Sequence, residues 1–123
     1  MRINRSYITN FDQILDASNL AFSYNSSSTS TSLTATDGIN VQLVNAASGA
    51  VTVTLPTAVA NNACFIIKKT DSSTNAVTVD AASSETIDGD LTYTLSDQYN
   101  YVEIVSNGTN WVVTNEYRNE IWT

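Results

Sequence analysis

Glu85, Asp88 and Asp90 stand together in Glu-Thr-Ile-Asp-Gly-Asp, and they are the side chains of this sequence best suited to acid–base or cation chemistry. Glycoside hydrolysis sets two carboxylates across a cleft, and calcium takes several carboxylate and carbonyl oxygens. Carboxylates on one tight turn face water rather than each other, and Asp88-Gly89-Asp90 lacks the rest of an EF-hand loop. The sequence therefore predicts a solvated hairpin tip, with no catalytic residue, no metal and no cofactor. Serine and threonine are abundant, but the chain has no histidine to act as their base. Cys64, the only cysteine, lies in the apolar run Ala63-Cys64-Phe65-Ile66-Ile67 and is expected to be a small buried hydrophobe. No glycine-rich phosphate loop is present. Tyr93, Tyr99, Tyr101 and Trp111 offer rings on which a sugar could stack, although aromatic side chains in strands more often pair with their neighbours across the sheet.

The elements that must position these groups are strands. Val and Thr alternate through Ala50–Leu55 and Ala76–Asp80, the period-two pattern of a half-buried strand. Further strands are predicted over Ile39–Val44, Cys64–Thr70, Leu91–Leu95, Tyr101–Ser106 and Trp111–Asn115. The four glycines fall at Asp37-Gly38, Ser48-Gly49, Asp88-Gly89 and Asn107-Gly108, and each is read as a turn. Asn107-Gly108 carries the clearest hairpin, and Pro56 ends the strand before it. The alternation assigns Val41, Leu43, Val51, Val53, Leu55, Val77, Val79, Val102 and Ile104 to the core, with Trp111 as its anchor. Ile66 between Phe65 and Ile67 makes one strand apolar on both faces, so that strand is expected at the centre of a sheet or at an interface.

These 123 residues fit one domain and need no metal or disulfide to build a core. A formal charge of -7 argues against nucleic acid, whose phosphates demand a basic patch. No apolar run approaches the ~20 residues of a membrane span, and Arg2 and Arg5 precede no continuous apolar stretch, so neither a membrane partner nor a signal peptide is expected.

Residues 1–25 are set apart as a docking arm. Ile8, Phe11, Ile14 and Leu15 recur at helical spacing, with a short helix expected from about Phe11 to Ala17, and Leu20, Phe22 and Tyr24 then alternate as in a strand. Residues 26–36 open with seven consecutive hydroxyl side chains, Ser26 to Ser32. That run suits either a polar edge strand or loop of the same domain, or a tether; the tether is the preferred reading. Residues 37–115 form the body, and residues 116–123 a tail whose Ile121-Trp122 pair is too apolar for a loose end. The candidate assembly interface is Ile8, Phe11, Ile14, Leu20, Phe22, Tyr24, Ile121 and Trp122. The predicted fold is all-β, an antiparallel sandwich or barrel of about seven to eight short strands behind the N-terminal arm.

The ordered series GAVTVTLPTA, FIIKKTDSSTNAVTVD, ETIDGD followed by YTL, and VEIVSNGTNWVV resembles a small β module of tailed-phage virion proteins. Such modules occur in head decoration (capsid cement) proteins, tail fibres and appendages. The resemblance spans roughly residues 48 to 115 and implies a phage structural protein, oligomeric and often trimeric. One short domain lacks the attachment region, shaft and tip of a fibre, so the expectation is a decoration protein on the capsid surface, assembled in the host cytoplasm, with the major capsid protein as partner. The alternative is a receptor- or carbohydrate-binding module of a tail fibre or appendage.

Overall fold

The structure, a computed structural model, describes residues 21–118. All described regular structure is β: β1 (Phe22–Ser27), β2 (Thr31–Ser32), β3 (Asp37–Val44), β4 (Val51–Thr54), β5 (Asn62–Lys69), β6 (Val77–Asp80), β7 (Thr92–Leu95), β8 (Tyr101–Ser106) and β9 (Trp111–Tyr117). They form a five-stranded sheet in the order β1-β3-β5-β8-β9 and a four-stranded sheet in the order β2-β4-β6-β7, and neither closes into a barrel.

The expected antiparallel pairing holds only at the C-terminal end. β1, β3 and β5 are parallel to one another, as are β2, β4 and β6, while β7, β8 and β9 pair antiparallel. Consecutive strands from β1 to β6 alternate between the sheets, so the chain winds as three turns of a flattened coil. The Gly49 turn shows why. It reverses the chain, with Gly49 N–H donating to the Ala46 carbonyl at 3.1 Å, but it delivers β4 to the opposite sheet rather than beside β3. Asn107-Gly108 joins strands of one sheet and makes the hairpin expected of it.

Phe22–Ser27 and Thr31–Ser32 are strands, so the hydroxyl run takes the edge-strand reading and not the tether reading. β1 pairs with β3 over six residues and β2 with β4 over two. Main-chain pairing needs no apolar side chain, which is how a serine run joins a sheet edge. The entry to β1 depends on Gly38, at φ +76°, where an added Cβ would collide with the Ala21 carbonyl that accepts from Ile39 N–H at 2.8 Å. The expected helix from about Phe11 to Ala17 lies outside the described residues.

One apolar core is shared by the facing sheets. Val51, Val53, Val77, Val79, Tyr93 and Leu95 come from one sheet, and Val44, Phe65, Ile67, Val102, Ile104 and Trp111 from the other. Full burial of each aliphatic or aromatic side chain is worth roughly 1.5–3 kcal/mol. Trp111 is completely buried, edge-to-face with Phe65 at 5.5 Å, and its Nε1 donates to the Pro56 carbonyl at 3.3 Å. β5 is the central strand of its sheet, as its two apolar faces required.

Val41 and Leu43 do not join this core. Gln42 and Val44 point inward on β3, and Ile39, Val41 and Leu43 point out. Successive strand residues alternate faces, so a one-residue choice inverts the whole set; burial of Val44 beside Ala46 and Val51 makes that choice here.

A buried ion pair stacks two turns of the coil. Lys69 is completely buried, and its Nζ lies 2.8 Å from Asp71 Oδ2. Asp71 also accepts from the amides of Ala46 at 2.7 Å and Ser73 at 3.0 Å, and from the Ser73 hydroxyl. Asn75 Nδ2 donates to the Ala46 carbonyl at 2.8 Å. The β3–β4 turn is thereby fastened to the β5–β6 loop.

Candidate functional site

The two sheets present unlike outer faces. On the four-stranded sheet the register aligns Thr52, Thr78 and Thr94 in one row, and Ser32, Thr54, Asp80 and Thr92 in the next. That face carries hydroxyls and one carboxylate. On the five-stranded sheet three rows cross every strand: Phe22-Ile39-Cys64-Val105-Val112, Tyr24-Val41-Ile66-Glu103-Asn115, and Ser26-Leu43-Lys68-Tyr101-Tyr117. The first row is apolar from edge to edge. Phe22 and Tyr24 are 65% and 63% exposed, the largest exposures among the big apolar side chains described.

Phe22 and Tyr24 thus lie side by side in sequence parity on this outer face, as candidate assembly residues. Ile8, Phe11, Ile14, Leu20, Ile121 and Trp122 lie outside the described residues. The successive apolar residues of β5 were the signal for Ile66 on this surface, whereas Ile39, Val41 and Leu43 alternate with Asn40 and Gln42 and read as a core face until Val44 took the inward place.

Cys64 is half-buried on this face rather than in the core. Burial pushes its thiol up, and the Glu103 carboxylate across the strand pair pushes it further. Glu103 itself accepts from the Thr114 hydroxyl at 2.9 Å, where a bulge shifts the β8–β9 register.

The aromatic residues divide between core and surface. Trp111 and Tyr93 are buried, so neither belongs to an open stacking platform. Tyr93 lies under Arg118, whose guanidinium carbon is 4.4 Å from the ring centroid and whose Nε donates to the hydroxyl at 2.9 Å. Burial raises the Tyr93 hydroxyl pKa, opposed by Arg118. Tyr99 and Tyr101 do come together, with Lys68 Nζ at 5.4 and 5.7 Å from their centroids, and Tyr117 stacks on Tyr101 at 6.2 Å. Tyr117 escaped sequence reasoning because only the bulged β9 register carries it opposite Tyr101. Tyr99 has φ +70°, an uncommon conformation for a bulky residue, and its amide is held by the Lys69 carbonyl at 2.7 Å.

The acidic turn does structural work. Glu85 accepts from the Thr57 hydroxyl at 2.6 Å and the Ala58 amide at 2.8 Å, and Asp88 accepts from the Val113 amide at 2.9 Å. Among the described residues no three His, Cys, Asp or Glu side chains are grouped to hold a metal ion. At the β1–β2 end, an open cleft of about 460 Å³ is lined by Ser23, Asn25, Ser27, Thr31, Asn40 and Gln42 above Phe65. Ser23 donates to Asn40 at 2.7 Å and Gln42 to Ser27 at 3.1 Å, so these groups satisfy one another. No protein-family model and no curated protein matches the chain.

Proposed function

We propose that this protein is a structural component of a phage virion, a decoration protein that binds the head shell as a homotrimer. Its two sheets are the layers of a sandwich whose work is contact rather than chemistry. The observation that carries the reading is the contrast between outer faces: one is hydroxyl-bearing and suited to water, and the other carries an apolar row across all five strands. Contiguous apolar patches of this kind mark interaction surfaces. The resemblance of residues 48 to 115 to virion modules supplies the virion context. Residues 1–20, with Ile8, Phe11 and Ile14, supply attachment to the major capsid protein, and multiple arms on one particle allow each contact to be modest.

Co-sedimentation tests this reading. The full chain is mixed with heads of the cognate phage assembled without it, beside the full chain carrying Ile8→Ser and Phe11→Ser. Wild-type protein pelleting with the heads, and the variant remaining in the supernatant, is the expected result. Wild-type protein that stays in solution would overturn the decoration function; a variant that still pellets would overturn the arm's role.

A second reading is favoured by one observation, the ledge of Tyr99, Tyr101 and Tyr117 beside Lys68. Exposed rings flanked by a polar group are suited to a sugar, as in a receptor-binding module of a tail appendage. Protein that ignores heads but binds host-surface polysaccharide, with loss of binding in Tyr99→Ala, is the outcome that would select it.

A further inference from the structure

We infer that copies of this chain meet through the outer face of the five-stranded sheet, with Ile66 on the central strand at the middle of the contact. The inference rests on the oligomeric reading above and identifies the surface that reading requires.

Strand propensity does not explain the face. The four-stranded sheet meets the same need with threonine, which favours strands while leaving its surface polar. Ile39, Val41 and Ile66 add apolar surface where solvent would otherwise be, beside the exposed rings of Phe22 and Tyr24.

Charge points to a second copy. The chain carries a formal -7, so its copies repel wherever their acidic surfaces approach. Across the three rows from Phe22 to Tyr117 only Lys68 and Glu103 are charged, one of each sign. These three rows are neutral, with the Asp37 carboxylate in the next row at their margin, and two copies can approach over them without net repulsion.

The dimensions agree. Five strands at about 4.8 Å spacing make a face about 24 Å wide, and three rows run about 20 Å along it, or about 500 Å² in projection before side-chain relief is counted. That is the order of the ~800 Å² per partner buried in a standard interface. End-to-end stacking of the coil is the competing arrangement, and the end formed by β1 and β2 does not suit it. Its interior is the cleft of mutually bonded Ser, Asn and Gln side chains, and β2 is only two residues long, both features that discourage strand addition.

Cys64, next but one to Ile66 and on the same face, is the only cysteine and reports directly on coverage. The experiment uses the full chain as wild type, as Ile66→Glu, and as Thr78→Glu on the opposite outer face. Light scattering gives the mass, and alkylation by a small maleimide gives the Cys64 rate, both from nanomolar to high micromolar concentration. The expected result is an oligomeric wild type and Thr78→Glu, a monomeric Ile66→Glu, and a Cys64 rate that falls about fivefold once total concentration reaches about ten times a pairwise dissociation constant. A wild type monomeric throughout would remove the oligomeric reading and this inference together. An oligomer in which Cys64 stays fully reactive would overturn the face alone, as would an Ile66→Glu variant that remains oligomeric. Slow, concentration-independent alkylation in a monomer would show that the chain's own residues cover the face, also against the inference. Should Ile66→Glu fail to fold, the concentration dependence of wild-type alkylation decides by itself.

Discussion

Lys69 and Asp71 form an ion pair at 2.8 Å in which the lysine has no solvent exposure. Two residues apart in sequence, they close the end of the central strand onto the turn that follows β3. Burial alone would raise the Asp71 pKa; hydrogen bonds from Lys69 and Ser73, with the amides of Ala46 and Ser73, outweigh it and hold the carboxyl well below the usual carboxylate range.

This arrangement sets a pH dependence. The folded carboxyl gives up its proton more readily than the unfolded one, so its contribution is complete above about pH 4 and is lost as pH falls further. Removing one partner leaves the other charge buried, so Asp71→Ala should cost about 3–5 kcal/mol. Urea unfolding at neutral and acid pH checks both points: the wild type should weaken in acid, and the difference from Asp71→Ala should shrink there. A difference unchanged with pH would remove the ionic origin.

Trp111 anchors the contact between the sheets, edge-on to Phe65 and hydrogen-bonded to Pro56. Trp111→Ala should cost about 3–5 kcal/mol, a large share of a typical domain's ~5–15 kcal/mol. The expected outcome is little soluble protein, or a sharply lowered urea midpoint. An unchanged midpoint would contradict the burial described.

Gly38 is the point at which the first strand is held to the sheet. Gly38→Ala places a side chain in left-handed backbone, at about 1–2 kcal/mol, and against the Ala21 carbonyl. Hydrogen exchange should quicken at Ile39, whose amide bonds that carbonyl, while Trp111 and the β8–β9 hairpin keep their protection. Loss of protection throughout would mean that β1 is integral to global folding rather than a locally fastened edge.

Much of the architecture was legible in the residues themselves. The alternation of β4, β6 and β8 correctly placed Val51, Val53, Val77, Val79, Val102 and Ile104 inside, because each strand has one apolar and one polar face and burial admits a single answer. Asn107-Gly108 marked its hairpin, and the doubly apolar β5 marked the centre of a sheet. Phe22 and Tyr24 read as apolar residues cut off from the alternating body, and the structure instead pairs them with Ile39 and Val41 in its five-stranded sheet.

Tertiary structure decided the rest. A glycine turn specifies that the chain reverses, not whether it returns to the same sheet or crosses to the other, so parallel pairing was invisible in Ser48-Gly49. On β3, apolar residues at 39, 41, 43 and 44 offer both parities, and the core took Val44. Ser26 and Ser27 end strand β1, and Thr31 and Ser32 form β2, because backbone hydrogen bonds to β3 and β4 do not depend on side-chain polarity. Local sequence sets the period of a strand, but the neighbour that supplies its hydrogen bonds and the face that loses water depend on residues far away in the chain.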